Sequence, residues 1–384
     1  MKICFLAGAN SLHSYRWIRF FVEKGHDVHW LSLYKLSING FNLNTYKNFS
    51  YYELNPTLAK PLTPFLPPIT SVLRIFSVAK WIRGLLKDIH PDLFHAHSVG
   101  IYGLAAAMSG FHPLVATAWG SDVLVGGKLR IKRPFVKYIL NRADLITCDA
   151  NHMVEAMVRL KTDKNKIYIV NFGVDTNKFQ PSGKDEVLMK QLGIAGSPTI
   201  ISLRNFLPVY DIESLIRAIP LVLKAVPDAK FVIAGDGPEE ENIKRLSASL
   251  DVTGSIRFTG KIPNTDLPRY MTSVDIYTSS SLSDAGIASS TAEAMACGLP
   301  VVITDSGEND KWINDGKGGF LVPVKRPEVL AEKIVRLLKD DGFRTAAGAV
   351  NRKTIMEKND YYKEMAKMEK IYEEISGKSS RTGR

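Results

Sequence analysis

The sequence predicts an α/β protein of two consecutive doubly wound, Rossmann-like domains, each a parallel sheet with helices on both faces. Three observations point there. Short apolar runs alternate with helical stretches along nearly the whole chain, as βαβ units require. A polar connector with Pro and Gly, QPSGKDEVLMKQLGIAGSP at 180–198, separates two such series of similar size. And 384 residues, 45% of them hydrophobic, suffice to bury two cores.

In order, KICFLAG reads as a first strand, SYRWIRFFVEKG as a helix ending at Gly25, and HDVHWLSL as the next strand; Gly8, Asn10 and Ser11 form the turn after the first strand. DLFHAHS with GIYGLAAAMSG, PLVATAWGSD with a basic helical stretch, ADLITCDA and NKIYIVNFGVD continue the series. PTIISLRN opens the second, which runs through KFVIAGDGPEEENIKRL, SIRFTGK, VDIYTSS, LPVVITDS and GFLVPV. The expected domains are residues 1–182 and 196–355. A helix within 356–376 is expected to pack back on the first domain, and 377–384 reads as a disordered tail. In such sheets ligands bind at the carboxyl ends of the strands, so the expected site is a cleft between two facing domains.

Composition removes several alternatives. Cys4, Cys148 and Cys297 are far apart and form no CxxC, which argues for a reducing compartment and against a zinc site or disulfide framework. The opening apolar run is too short for a signal peptide, and no stretch of about 18 to 20 apolar residues is present to span a bilayer. A cytoplasmic protein is expected, with a peripheral position at the membrane as an open alternative. The net charge of +11 resides in residues 1–180, with 22 Lys+Arg against 11 Asp+Glu; the remainder carries 28 of each. No nucleic-acid-binding module accompanies it. Two basic amphipathic segments lie in that half, at 61–90 and at KLRIKRPFVKYILNR (128–142). Each fits a segment lying in an anionic membrane interface, and each equally fits a core helix with a solvated cationic face.

The densest chemical signal is SLSDAGIASSTAEAMACGLPVVITDSG, residues 281–307. A loop with Ser283, Asp284 and Gly286 opens a helix that Gly298 stops and Pro300 separates from a strand. The helix N-terminus offers unpaired N–H groups beside small residues, where a diphosphate can approach closely. Glu293, further into that helix, can accept bonds from vicinal ribose hydroxyls.

These stretches, with VNFGVDTNKFQP and ATAWGSDVL in the first half, resemble the retaining family-4 glycosyltransferases of the GT-B fold, over nearly the full length and most strongly over 196–340. The resemblance implies transfer of a hexosyl or N-acetylhexosaminyl group from a nucleotide sugar, by default a UDP-sugar, to a glycan or lipid-linked acceptor. It implies retained anomeric configuration without a covalent glycosyl-enzyme intermediate. Arg204 matches the arginine that grips the donor diphosphate, where a guanidinium fork suits two phosphates, and Glu293 matches the ribose ligand. Gly235 and Gly237, with backbone at Lys261 and Ile262, match the base-binding edge; Gly286, Gly307 and Asn309 lie in loops at the donor end. Three departures stand out. Ala285 occupies the position of an acidic sugar contact, with Asp284 one step earlier as its substitute. Tyr210 stands where a lysine is usual, and Trp119 where many members carry histidine. They leave open a catalytically impaired nucleotide-sugar binder. A sugar-nucleotide epimerase of similar architecture would need paired acid/base carboxylates, for which the sequence offers no candidate, and AGANSLHS lacks the G-x-G-x-x-G run of a dehydrogenase.

All eight histidines lie at or before residue 152, so imidazole chemistry belongs to the first domain. His95 and His97 end a strand and point to one face; His97 reads either as a catalytic, acceptor-side group or as a histidine bonded to neighbouring backbone. Asn10, His13 and Arg16 follow the first strand on the same side, with His13 otherwise a helix cap. Asp122 orients an acceptor hydroxyl or caps the next helix. No D-x-D pair occurs, so no metal or other cofactor is expected.

Overall fold

The computed structural model describes residues 1–38, 42–54, 68–129, 131–284 and 286–377, except the side chains of 68–74 and of Ser121. The chain forms two compact units, one of residues 1–172 together with the segment from Lys363, the other Gly173–Tyr362. In the first, strands β1 (Lys2–Leu6), β2 (Asp27–Ser32), β3 (Phe49–Glu53), β4 (Leu93–Ala96), β5 (Leu114–Thr117), β6 (Leu145–Cys148) and β7 (Ile167–Ile169) form one parallel sheet in the order β3-β2-β1-β4-β5-β6-β7. In the second, β8 (Thr199–Leu203), β9 (Lys230–Ala234), β10 (Ile256–Gly260), β11 (Ile276–Ser279), β12 (Val301–Thr304) and β13 (Gly319–Val322) pair in parallel as β10-β9-β8-β11-β12-β13. Each sheet winds outward from its first strand and then reverses, which puts switch points beside β1 and β4 and beside β8 and β11.

The reason for this layering is visible in single elements. Every residue of β4, β5, β6 and β12 is buried, as strands covered on both faces must be. The helix Ile212–Ala225 turns Ile212, Leu215, Ile216, Ile219 and Val222 to one side, and Pro327–Lys339 supplies Leu330, Ile334 and Leu337 to the same core as Phe231 and Ile233. Each such side chain contributes about 1.5–3 kcal/mol on burial.

Three expectations change. The first unit ends at Phe172, before the polar connector. Val174, Phe179, Met189 and Ile194 sit in one core with Val232 and Tyr277, because the connector carries its own short helix, Glu186–Leu192, capped by Asp185 and Gly193. The edge strand β3 escapes the sequence because its aromatic, polar FSYYE carries no continuous apolar run. In the described part of the first basic segment, on the helix Pro68–Ile89, Ile75, Val78, Ile82 and Leu86 are core residues while Phe76 is exposed, and Arg83 donates to the carbonyls of Ser109 and Met108. Leu73, Arg74 and the tail at 378–384 lie outside the described side chains or residues. The helix Tyr361–Ile375 joins the first unit from Lys363, with Tyr372 against Phe5 and Phe21.

Asn351, 1% exposed on the helix Asp341–Lys358, donates to the carbonyls of Leu299 at 2.8 Å and Gly318 at 2.6 Å. Asn351→Ala is expected to lower the stability of the second unit by about 2 kcal/mol, the cost of buried acceptors left unpaired, as read by urea denaturation.

Candidate functional site

In the second unit, the chain leaves β8 into Arg204, whose side chain is 10% exposed. Its Nη2 donates to Asp284 Oδ1 at 2.6 Å and to Ser281 Oγ at 3.2 Å, and the guanidinium lies 4.1 Å from the centre of the Tyr210 ring. Asp284 also receives Asn309 Nδ2 on its other oxygen at 3.5 Å, while the same amide donates to the Thr304 carbonyl at 2.9 Å. Buried Arg204 Nε and Asn309 Oδ1 find no partner among the described residues. Loops after β8, β11 and β12 thus meet at one buried ion pair. Ser280 Oγ ties the β11 loop to the Asp211 carbonyl at 2.7 Å, and Leu282 N–H donates to the Val209 carbonyl at 2.8 Å.

The helix Ser289–Ala296 begins at Ala288, and no side chain caps it. Its first turn is anchored by Tyr277, whose buried hydroxyl bonds Ser290 Oγ at 2.8 Å and accepts from Thr291 Oγ1 at 3.3 Å. Burial pushes that phenol up, while the nearby Arg204 cation opposes the shift. Glu293 is 5% exposed; its carboxylate and burial hold the Cys297 thiol up at about 12, burial being the larger cause. Gly298 follows with φ +78, as expected of the residue that ends a helix.

Gly235 and Gly237 have φ of +148 and +153. A Cβ on Gly235 would lie 2.4 Å from the Arg204 carbonyl, and one on Gly237 2.5 Å from that of Phe206. Their local requirement is close passage of the β9 loop over the β8 loop, at Arg204 for Gly235 and at Phe206 for Gly237. Lys261 pairs with Asp236 at 3.3 Å on the exposed rim. Ile262 is half-buried beside it, and Gly286 is buried. Ala285 lies outside the described residues.

In the first unit the two strand-end histidines differ. His95 is fully buried; Nε2 meets Thr117 Oγ1 at 2.6 Å, Nδ1 meets the Tyr372 hydroxyl, and Thr117 continues to Thr147 Oγ1 at 2.7 Å. Burial, then His97, holds its pKa well below the usual range. The acceptor-side expectation for His95 fails because both nitrogens are engaged in the core. His97 is 4% exposed, yet neither ring nitrogen has a partner among the described residues. Its ring is walled by Phe5, Trp17 and Trp119, and burial with neighbouring His13 holds it down at about 3. The Trp119 indole donates to the His97 carbonyl and its ring stacks on Phe172 at 4.8 Å; His13 lies 5.1 Å from Phe172.

Asp122 accepts from the N–H groups of Val99 at 2.9 Å, Trp119 at 3.0 Å and Val123 at 3.0 Å. Its expected hold on an acceptor hydroxyl gives way to a backbone clamp joining the loops after β4 and β5. The helix cap expected of His13 is Ser11, which accepts from Ser14 N–H. Asn10 is exposed and Arg16 half-buried on the same loop and helix. The sequence did not single out Ser281, Tyr277 or Thr304, since serine, tyrosine and threonine at strand ends carry no distinguishing spacing. Among the described residues no cluster of three His, Cys, Asp or Glu side chains could hold a metal, and no helix is long and apolar enough to cross a membrane.

Residues 184–354 match the family model of glycosyl transferases group 1, and residues 2–150 that of glycosyl transferase 4-like proteins. The chain is 28% identical over 295 residues to the GDP-mannose-dependent alpha-(1-6)-phosphatidylinositol monomannoside mannosyltransferase of Mycolicibacterium smegmatis, covering 74% of this chain and 77% of that one. It is 27% identical over 359 residues to N-acetyl-alpha-D-glucosaminyl L-malate synthase of Bacillus anthracis, covering 92% and 90%. In structure it is similar to Anabaena HepE in complex with UDP, with a TM-score of 0.80 at 18% identity over 97% of this chain and 100% of that one. Sucrose-phosphate synthase from Thermosynechococcus elongatus gives 0.82 at 17% identity over 99% and 100%. Both likenesses identify the fold as GT-B.

The buried histidines predict acid lability. Unfolded, each titrates near 6.5, whereas folded His97 protonates only at about 3, so between those values the unfolded chain holds more protons. Stability therefore falls as pH drops below 6.5, by about 1.4 kcal/mol per unit for each such histidine. His97→Phe is expected to flatten the dependence of melting temperature on pH between 6.5 and 4; an unchanged slope would contradict a buried neutral ring.

Proposed function

The chain belongs to the group 1 glycosyltransferases, and from that premise we propose that it moves a sugar, with retention of configuration, from a nucleoside diphosphate donor on the second unit to a hydroxyl of a glycan or lipid-linked acceptor on the first. The observation that carries the donor half is Arg204: a buried cation at the switch point of its sheet, fixed in plane by Tyr210 and Asp284, with Nε–H unengaged. That Nε–H and the uncapped N-terminus of Ser289–Ala296 are the proposed diphosphate ligands, and they stabilise charge as the phosphate leaves. Glu293 is the proposed ribose ligand, and Gly235, Gly237, Lys261 and Ile262 the base edge. Asp284, steadied by Asn309, is the proposed contact to the donor sugar.

On the first unit, His97 is the proposed contact to the acceptor hydroxyl. Held down at about 3, it is too weak a base to take the acceptor proton at neutral pH. It orients the hydroxyl, and the departing phosphate oxygen takes the proton on the same face. Trp119, His13, Asn10 and Arg16 are the proposed surroundings of the acceptor. Leaving-group charge is assigned to Arg204 and the helix N-terminus rather than to a metal. A UDP-sugar is the first donor to test. GDP-mannose is the second reading, favoured by the name of the M. smegmatis relative, which also supports a lipid-borne acceptor.

Melting curves with UDP, GDP and ADP are expected to show stabilisation by one nucleotide, through binding to the folded state. Arg204→Ala should abolish that shift and lower kcat/KM by roughly 100- to 1000-fold, the scale of losing a transition-state charge donor. Gly235→Ala should weaken the same shift by displacing the Arg204 backbone. Absence of any shift at millimolar nucleotide would sink the donor site. A nucleotide that binds without sugar transfer would instead favour the silent binder that Tyr210 and Ala285 leave open. An inverted product anomer, read by NMR, would sink retention alone.

A further inference from the structure

The second basic segment carries two apolar stripes where folding needs one. In the helix Arg133–Arg142, Val136, Ile139 and Leu140 are buried in the core of the first unit with Ile146 and Met153. That face accounts for the helix. On the same segment and just before it, Val125, Leu129, Ile131, Phe135 and Tyr138 are large apolar side chains exposed to solvent, Ile131 by 83% and Phe135 by 51%. Single exposed apolar residues are ordinary, but five within 14 residues form a patch that core packing leaves unexplained.

The charges around the patch have one sign. Lys128, Lys132, Arg133 and Arg142 are exposed and Lys137 half-buried, none forms an ion pair with a described residue, and no Asp or Glu occurs between Asp122 and Asp144. Aliphatic side chains interleaved with cations gain from a surface that offers hydrocarbon and negative charge together. A nucleic-acid backbone would reward the cations and leave Ile131, Leu129 and Val125 in water. We propose that the face carrying Val125, Leu129, Ile131, Phe135 and Tyr138 is a docking surface for an anionic lipid bilayer, with these apolar side chains in the headgroup boundary and the neighbouring exposed cations on the lipid phosphates. The surface is independent of which donor or acceptor the enzyme uses.

The test is sedimentation of the full chain with phosphatidylcholine vesicles containing zero or 30 mol % phosphatidylglycerol. Binding is expected only with the anionic lipid. Ile131→Ser with Phe135→Ser should lower the partition coefficient at least tenfold, and Lys128→Ser with Lys132→Ser roughly thirtyfold. All four positions are exposed, so melting temperatures should match wild type. Because Cys4, Cys148 and Cys297 are buried, Ile131→Cys can be labelled with an environment-sensitive fluorophore. It should blue-shift on anionic vesicles, while a label at Val187→Cys should not. Binding indifferent to lipid charge, binding unaffected by the Ile131/Phe135 pair, or a label that stays in water would each overturn the proposal. A dimer in solution that Phe135→Ser dissolves would reassign the patch to a second copy and overturn it equally.

Discussion

One buried ion pair holds together the strand-end loops of the second unit's candidate site. Arg204 and Asp284 meet at 2.6 Å with side chains only 10% and 7% exposed, where removing either partner would strand a charge in a poorly solvated place. The pair survives because each group has further partners: Ser281 and the Tyr210 ring for the arginine, Asn309 for the aspartate. Three strand-end loops are thereby fixed to one another. Gly235 after β9 serves the same point, since only a residue without Cβ lets that loop cross so near the Arg204 carbonyl.

The replacement of a usual lysine by Tyr210 changes the way such a site is built. A second cation would add charge, whereas an aromatic ring at 4.1 Å adds orientation, holding the guanidinium plane. Lys261 is paired with Asp236 on the exposed rim. The proposed donor site therefore relies on one well-fixed guanidinium and the partial positive charge of a helix end.

The first unit shows how neighbouring residues of one type acquire different meanings. His95 and His97 leave the same strand on the same face, with ring centroids 4.5 Å apart. His95 is bonded through both nitrogens to Tyr372 and Thr117 and is part of the core. His97 is also buried but has aromatic walls in place of hydrogen-bonding groups, so neither ring nitrogen has a partner among the described residues. The long-range contact that separates them comes from a helix 277 residues away in sequence.

The sequence by itself determined the two α/β series, since buried parallel strands need unbroken apolar runs and their helices need a 3.6-residue stripe, both local patterns. It also determined the loops where the candidate groups lie, because strand ends are fixed once strands are. It had no means to register β3, whose polar edge lacks the run, or the boundary at Phe172, which depends on where Val174 and Phe179 pack. Only the tertiary structure decided that Asp122 clamps backbone, that His95 is bonded through both nitrogens while buried His97 is not, and that Ile75, Val78, Ile82 and Leu86 face inward while Ile131 and Phe135 face water. Those distinctions are matters of partner and burial, and partners distant in sequence leave no periodicity to read.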